Sequence, residues 1–264
     1  MKLSSGFVAA LCQGGGYFRN MANGVMKLYT GSEPATADAA VTGTLLATLT
    51  KSGSAYTAET LAEWKITLTG ASGSVDTIKI GGLEVLGTAV AFITDLTTTA
   101  AAVAAMINNH STAPQFVARS SGAVVYIKAP IASGTSYNAI VCATTVTTMA
   151  ATVAGDGTPS GSAGTAGVAA ANGLNWQFPP VDGVFTKEST VWQDSSADVS
   201  GTVGYARLVL DSADDGTLST SFRRVQFSVG TSGADITSQI LTTAAAAPAI
   251  LNTLSLTATK VKPA

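Results

Sequence analysis

Trp64–Thr69 has the sequence WKITLT, in which apolar and polar side chains alternate strictly. Thr77–Ile80 (TIKI) and Leu83–Leu86 (LEVL) then flank the dipeptide Gly81-Gly82. Side chains of a strand point alternately to opposite faces, so the first pattern predicts a strand with one buried face. Glycine accepts positive φ, so the second pattern predicts an antiparallel hairpin with a two-residue turn. This part of the chain is therefore predicted to be rich in β structure.

One helix of useful length is predicted downstream. Asp95 or Thr94 can cap a helix over residues 97–109, because either side chain accepts a hydrogen bond from a free N–H of the first turn. Apolar residues recur along this segment at spacings of three and four, which gives the helix one apolar face. These residues are Leu96, Ala100, Val103 and Ile107. Pro114 is expected to end the helical region.

Further strands are predicted on both sides of this helix. Phe116–Arg119 and Val124–Lys128 form a second hairpin across Ser120-Ser121-Gly122, and residues 139–146 give one more strand. Nearer the N-terminus, Ser4 and Ser5 can cap a short helix over residues 6–11 that Gly14-Gly15-Gly16 stops. The remaining strand candidates are Val25–Thr30, Thr44–Thr50, Leu174–Phe178, Thr190–Gln193, Gly204–Leu210, Arg224–Val229 and Leu251–Thr257.

The composition excludes several classes of function. Charged residues make up only 11% of the chain, and the 14 Lys and Arg residues are scattered singly. No basic stripe is present that could neutralise a run of phosphates, so we expect no direct binding of nucleic acid. The formal net charge of -2 means that copies of the chain repel one another weakly, which suits a protein that packs closely against other subunits.

The two cysteines and the N-terminus carry little functional signal. Cys12 and Cys142 both lie in apolar stretches, where cysteine is expected to be a small buried hydrophobe. Residues 1–11 lack the apolar core and cleavage site of a secretory signal, and no apolar run reaches the roughly 18 residues of a membrane span. We therefore expect that the chain does not associate with a membrane and that it assembles in the cytoplasm.

Catalytic and metal-binding patterns are weak. His110 is the single histidine, and no Gly-x-Ser-x-Gly motif accompanies it, so a solvent-facing helix end is the preferred interpretation over a catalytic role. Asp211, Asp214 and Asp215 suggest a calcium loop, but the closing glutamate is missing and a turn between two strands is preferred. No catalytic residue, cofactor or metal site is assigned, and the chain is predicted not to be an enzyme.

Aromatic residues and the triple glycine have structural interpretations. Trp64, Trp176 and Trp192 fall within strand patterns, where core packing is favoured over carbohydrate stacking. Gly14-Gly15-Gly16 lacks the Lys-Ser/Thr of a phosphate loop and is interpreted as a hinge. Residues 1–23 are then predicted to form an N-terminal arm that a subunit could lay over its neighbour.

Several segments at the two ends of the chain resemble a family of phage virion proteins, encoded among capsid and tail genes, that are about half this length. The resemblance lies in Leu3–Gly6 (LSSG), Ala22–Asp38 (ANGVMKLYTGSEPATAD), Thr42–Thr48 (TGTLLAT), Asn172–Trp176 (NGLNW), Val203–Leu208 (VGYARL) and Val229–Ile236 (VGTSGADI). In the short relatives the Leu-Leu-Ala-Thr strand leads after a brief turn into the Asn-Gly-Leu strand. About 110 residues intervene here, and they resemble small α+β modules of phage tail and capsid-associated proteins.

This resemblance implies a discontinuous architecture. Residues 1–58 and 168–264 are predicted to form a β-sandwich-like virion domain, residues 61–154 an inserted α+β domain with two hairpins and one helix, and residues 155–167 a Gly/Ser-rich linker. A self-contained unit is well tolerated when it is inserted at a surface turn.

Three functions follow as hypotheses. The first is a bacteriophage virion structural protein, most simply a capsid decoration or cement protein, with a head-tail connector or tail component as the alternative. Its partners would be other virion proteins and copies of itself. The second is a receptor-binding or adhesin module that touches the host surface through the inserted domain, which exposed aromatic residues there would favour. The third, an enzyme that trims cell wall or glycan, lacks a carboxylate or histidine constellation.

Overall fold

A computed structural model describes residues 1–12, 16–112, 115–154, 162–163, 165–181, 184–211, 213–237, 242–251 and 255–257. Strands hold 39% of the residues and helices 12%, which confirms the prediction of a mainly β fold. The chain divides into two compact units. Unit 1 consists of Met1–Ala58 and Ala170–Ala264, and unit 2 of Glu59–Ala169.

Short strands predominate along the chain, with two short helices near the N-terminus and one longer helix in unit 2. The first half contains β1 (Lys2–Leu3), α1 (Ser5–Ala10), α2 (Gly16–Met21), β2 (Val25–Tyr29), β3 (Leu45–Lys51), β4 (Glu63–Thr69), β5 (Ser74–Ile80), β6 (Leu83–Glu84), β7 (Val90–Ala91), α3 (Leu96–Asn109), β8 (Val117–Ser121) and β9 (Val124–Lys128). The second half contains β10 (Val141–Thr147), β11 (Ala150–Ala154), β12 (Ser162–Ala163), β13 (Val184–Thr186), β14 (Trp192–Asp194), β15 (Gly201–Thr202), β16 (Tyr205–Val209), β17 (Arg224–Gly230), β18 (Ile236–Thr237), β19 (Thr242–Thr243), β20 (Ala249–Leu251) and β21 (Ser255–Thr257).

Unit 1 is built on an eight-stranded sheet of order β1-β17-β16-β2-β3-β14-β20, in which β18 pairs with β17. All pairs are antiparallel except β17 with β18. One face of the sheet is apolar and packs into the core of the unit with Phe7, Trp176 and Trp192. The opposite face carries large polar side chains, because alternate residues of β16 and β17 are tyrosine, arginine and glutamine.

Unit 2 contains a four-stranded sheet of order β11-β4-β9-β8 and a five-stranded sheet of order β12-β10-β5-β6, with β7 also paired to β5. Its core is separate from that of unit 1 and includes Trp64, Val103 and Ile127. Helix α3 contributes its apolar stripe to this core, since Ala100, Val103 and Ile107 are all buried. Each unit therefore has its own hydrophobic core.

The predicted hairpins of unit 2 are confirmed. Ile80 lies opposite Leu83, and Gly81 and Gly82 both adopt positive φ, as a two-residue turn of this kind requires. The second hairpin pairs Ser121 with Val124, so its turn consists of Gly122 and Ala123. The turn was predicted at Ser120-Ser121-Gly122. The long helix is also confirmed, with the Asp95 carboxylate accepting a hydrogen bond from the Thr98 N–H at 2.7 Å.

Other elements differ from the prediction. Helix α2 was not predicted, because six residues are too few to show a helical period and the helix begins directly at Gly16. Strand β11 was missed as well, since its alanines carry little β signal. The segment Leu174–Phe178 was predicted as a strand, yet only isolated bridges involve Leu174 and Trp176.

Parts of several predictions lie outside the described residues. These parts are Gly14 and Gly15 of the predicted hinge, Pro114, residues 155–161 and 164 of the predicted linker, Ser212 of the acidic loop, and residues 252–254 of the last predicted strand. The sandwich-like arrangement of unit 1 and the insertion of the α+β domain stay predictions.

The N-terminal segment packs on its own unit. Lys2 and Leu3 pair with Gln226 and Val225 of β17, and the side chain of Phe7 is fully buried in the core. Ser4 caps α1 as predicted, since its hydroxyl accepts the Phe7 N–H at 3.1 Å. The described residues of the predicted arm are therefore part of the fold of unit 1, and a contact of this segment with a neighbouring subunit stays a prediction.

Candidate interaction surfaces

His110 is the C-cap of α3, and its backbone N–H donates to the Met106 carbonyl at 2.9 Å. The imidazole packs against Gly87, where a Cβ atom would lie 2.4 Å from His110 Nδ1. Among the described residues, no group of three or more His, Cys, Asp and Glu side chains is placed to hold a metal ion. The geometry thus gives His110 a packing role at a helix end.

The acidic loop after β16 is engaged by two arginines. Asp211 accepts from Arg223 Nε at 3.0 Å and Nη2 at 2.7 Å, and Asp214 accepts from Arg224 Nε at 2.6 Å. Asp215 accepts from the backbone N–H and hydroxyl of Thr217, and these hydrogen bonds lower the pKa of its carboxyl. The preferred turn agrees with these bonds, but no local pattern predicts that arginines bind the carboxylates of Asp211 and Asp214.

Arg224 and Arg207 are both fully buried on the polar face of the eight-stranded sheet. Burial lowers the pKa of Arg207, and the nearby charge of Arg224 lowers it further. Arg207 donates to the Ala39 carbonyl at 3.1 Å, and Arg224 donates to the Asp38 carbonyl at 3.2 Å. Gln226 adds a bond to the Pro34 carbonyl at 2.8 Å. Side chains of β16 and β17 therefore fasten the loop 31–44 over this face.

Tyrosines close the same loop from its far end. The hydroxyl of Tyr205 donates to the Thr42 carbonyl at 2.7 Å and accepts from the Thr42 N–H at 3.0 Å. The ring of Tyr205 stacks on that of Tyr29, with centroids 5.0 Å apart. The pKa of Tyr29 is raised to about 12. Burial is the largest cause, and the electrostatic effect of Tyr205 is the second.

Distant segments that carry the family resemblance meet in unit 1. The Asn23 N–H donates to the Leu174 carbonyl at 2.9 Å, and the Leu174 N–H donates to the Gly24 carbonyl at 2.8 Å. A Cβ atom at Gly204 would lie 1.8 Å from the carbonyl oxygen of Gly31, so only glycine fits at this close approach. The residues of these motifs thus hold one fold together across long sequence separations.

The tryptophans and the other aromatic residues of the predicted insert lie mainly in cores. Trp64 is fully buried, and its Nε1 donates to the Ile140 carbonyl at 2.9 Å. Phe116 and Tyr137 contact it with ring centroids 6.1 and 6.2 Å away. Trp176 and Trp192 pack edge to face in unit 1, 5.1 Å apart. The prediction that tryptophans serve core packing is confirmed.

The two cysteines differ from each other. Cys142 is buried as predicted, and burial raises the pKa of its thiol to about 12. Cys12 was predicted to be buried, and this prediction is wrong because Cys12 is exposed at the end of α1. The apolar stretch supplies the buried face of the six-residue helix α1, and Cys12 lies beyond the last residue of that helix.

An exposed aromatic cluster lies on unit 1, and we call it the apolar patch. It consists of the exposed residues Phe178 and Val181 together with Phe18, which contacts Phe178. The rings of Phe18 and Phe178 are 4.7 Å apart, while 69% of Phe178 and 66% of Val181 remain exposed. Large apolar side chains clustered at a surface in this way are typical of protein-protein contacts.

A second surface, the open face, is the solvent side of the four-stranded sheet of unit 2. The cross-strand pairs Glu63–Lys128 and Lys65–Tyr126 lie on it. Arg119 of the neighbouring strand β8 is paired with Tyr126 on the same face. The guanidinium of Arg119 lies 3.9 Å from the centroid of the Tyr126 ring and 3.4 Å from the Glu63 carboxylate. The rest of the face carries uncharged side chains, which include Thr67, Thr69, Val117, Ser121, Val124, Ala150 and Thr152.

Comparison with known proteins adds no family or fold assignment. No family model matches the chain, and no curated protein and no solved structure matches it. No helix of the described residues is long and apolar enough to cross a membrane. The interpretation of function therefore depends on the residues and surfaces described above.

Proposed function

We propose that the chain is a structural protein of a bacteriophage particle and that it acts as a capsid decoration or cement protein. The observation that carries the proposal is the convergence of the segments that resemble short virion proteins. Asn23 and Gly24 bind Leu174 across about 150 residues of sequence, and Gly31 meets Gly204. Segments that were recognised only as a set of motifs thus behave as parts of one folded unit.

The same convergence supports an insertion. The entry and exit of unit 2 run antiparallel, since Thr57 pairs with Ala171 and Thr60 pairs with Val168. Two chain ends that lie side by side are what an inserted domain needs, because the parent fold then keeps its own backbone path. We infer that unit 2 is the inserted α+β domain and that unit 1 is the discontinuous sandwich-like virion domain.

The apolar patch provides a surface for assembly. Phe178 and Val181 expose most of their area, and aromatic residues supply much of the binding energy at protein interfaces. In a particle, where each subunit repeats many times, even a weak contact of this kind is strengthened by multiplicity. We infer that the patch contacts a neighbouring virion subunit, which is either another protein of the particle or a second copy of this chain.

An adhesin function receives less support from the residues of unit 2. Exposed aromatic residues would favour it, but Trp64 and Phe116 are buried. Tyr126 is half-buried, and one side of its ring is covered by Arg119. A head-tail connector or tail component stays the alternative position within the particle.

Immunogold electron microscopy of particles from the phage that encodes the chain tests the proposal, with antibody raised against residues 61–154. Label spread over the head is expected for a decoration protein. Label at the neck or tail would replace this position by the connector or tail alternative. A chain that is absent from purified particles, by both labelling and mass spectrometry, would refute membership of the virion.

The contact surface is tested with substitutions of its exposed residues. The double variant Phe178→Ser/Val181→Ser is expected to lower the number of copies per particle. The matched control is Leu218→Ser, since Leu218 is 73% exposed and lies outside the patch. Equal incorporation of both variants would show that the patch is not the contact surface.

A further inference from the structure

We propose that the open face of unit 2 is a docking surface for an acidic protein surface. The partner would be a neighbouring subunit of the particle, and in this respect the inference rests on the proposed function. Unit 2 contains six acidic and four basic residues, yet three of the four basic residues lie on this one face. These are Lys65, Arg119 and Lys128, and all three are exposed.

The described acidic residues of unit 2 do not balance this charge on the face. Glu63 is the single described carboxylate there; it lies 3.4 Å from Arg119 and is the cross-strand neighbour of Lys128. Asp76 accepts hydrogen bonds from Ser74 and Thr147 of the five-stranded sheet, and Asp95 caps α3. The open face therefore keeps an excess of positive charge that a surface rich in carboxylates would complement.

Arg119 indicates the chemistry of the partner. Its guanidinium lies against the Tyr126 ring, so the ring does not offer that side to a sugar or a nucleic-acid base. The stacking holds the planar group in place, and a guanidinium held in this way presents paired N–H donors that match a carboxylate. Charge recognition is therefore favoured over stacking at this face.

The shape of the surface suits a protein partner. The face is formed by four antiparallel strands, and its other side chains are short, including Thr67, Thr69 and Thr152. A broad surface of short side chains allows another folded surface to approach closely, while the threonine hydroxyls can bond to polar groups at the contact. The opposite side of the sheet is the core of unit 2, so the surface has a rigid support.

A binding assay with the full chain tests the inference. The probe is a rhodamine-labelled dodecapeptide of alternating Glu and Ser, followed by fluorescence anisotropy at low ionic strength, where exposed charges are screened least. The double variant Lys65→Gln/Lys128→Gln is expected to bind it about tenfold more weakly, since each substitution removes one exposed ion pair with the peptide. Arg119→Gln is expected to weaken binding as well.

Lys79→Gln is the matched control, because Lys79 is the basic residue of unit 2 that lies on the five-stranded sheet, where it pairs with Glu84 and Ala143. It should leave binding within about twofold of the original chain. Equal loss in Lys79→Gln and in the double variant would overturn the inference, and so would equal binding of a peptide with Gln in place of Glu. Equal or tighter binding of a single-stranded oligonucleotide of the same charge would overturn the choice of a protein partner.

The assay separates this inference from the proposed function, because it does not use particles. Binding that depends on Lys65 and Lys128 supports the docking surface even if immunogold labelling finds no chain in the virion. The converse result is also informative. If the chain is found on particles but its double variant binds the acidic peptide normally, the proposed function stands and the docking surface is refuted.

Discussion

Asp214 and Arg224 form the most deeply buried ion pair of unit 1, and both side chains are fully buried. Arg224 also donates to carbonyls on two separate segments, at Asp38 and Thr217. Removing one member of such a pair leaves a charge without compensation in a place that water does not reach. Asp214 therefore compensates the buried charge of Arg224, and Arg224 in turn holds the loop 31–44.

Replacing Asp214 should accordingly cost much more than replacing Asp211. Asp214→Asn is expected to lower the free energy of unfolding by about 3–5 kcal/mol, because Arg224 keeps its charge in the buried site. Asp211→Asn is expected to cost about 1 kcal/mol, since its partner Arg223 is less buried. Urea denaturation followed by tryptophan fluorescence measures both values. Similar losses in the two variants would contradict the importance of the buried pair.

Tyr29 predicts an alkaline loss of stability. Its pKa is raised from 10.0 to about 12, so the folded state favours the neutral phenol more than the unfolded state does. This contribution is present below pH 10 and is lost as the pH rises from about 10 to about 12, and it amounts to at most about 3 kcal/mol. The buried thiol of Cys142 contributes a loss of the same sign.

The test compares urea stability at pH 8 and pH 11 in Tyr29→Phe and in the original chain. The variant should lose less stability between the two values, while the Cys142 contribution cancels in the difference. Tyr17→Phe is the control, since Tyr17 is 37% exposed. A variant that loses as much as the original chain would show that Tyr29 does not titrate in this window.

Edges of sheets explain several features at the scale of elements. Strand β8 is the outer strand of the four-stranded sheet, and unpaired backbone groups at such an edge favour aggregation. Asn108 of α3 covers this edge, because its carboxamide donates to the Ala118 carbonyl at 2.8 Å and accepts the Ala118 N–H at 2.7 Å. The side chain thus makes the two bonds that a further strand would make.

Asn108→Ala is therefore expected to uncover the edge. The variant should lose about 1–2 kcal/mol for two hydrogen bonds and should aggregate faster on mild heating, as measured by light scattering. Asn109→Ala is the matched control, because Asn109 is the exposed neighbour on the same helix end. Aggregation of both variants at the same rate would show that Asn108 does not protect the edge.

The sequence predicted those elements whose signal is local. The alternation of Trp64–Thr69, the Gly81-Gly82 turn and the Asp95 cap each depend on neighbouring residues, so β4, the first hairpin and α3 were found. The contact between Asn108 and Ala118, the burial of Arg224 and the packing of α2 depend on residues brought together by the fold. No spacing along the chain shows them, and the same is true of the open face, which needs the register of three strands.

At the scale of the whole molecule, the two units have separate cores and separate sheets. Unit 2 begins and ends at neighbouring positions, since Thr60 pairs with Val168 and Glu63 pairs with Thr165. Asn138 strengthens this closure, because its carboxamide bonds both to the Gly167 carbonyl, at 2.9 Å, and to the Gly167 N–H, at 2.6 Å. A unit closed in this manner does not need the rest of the chain to satisfy its terminal backbone groups.

Residues 59–169 expressed alone are therefore expected to fold. The fragment should show a cooperative unfolding transition and the dispersed amide spectrum of a packed core, with the fluorescence of the buried Trp64 as a local probe. In the complementary chain, residues 59–169 are replaced by a short Gly-Ser turn between Ala58 and Ala170, and Trp176 and Trp192 should report an intact core. Cooperative folding of both would establish that unit 2 is a removable insertion. If the shortened chain unfolds while the fragment stays folded, unit 1 needs unit 2 for its stability. Its fold would then differ from that of the short virion proteins.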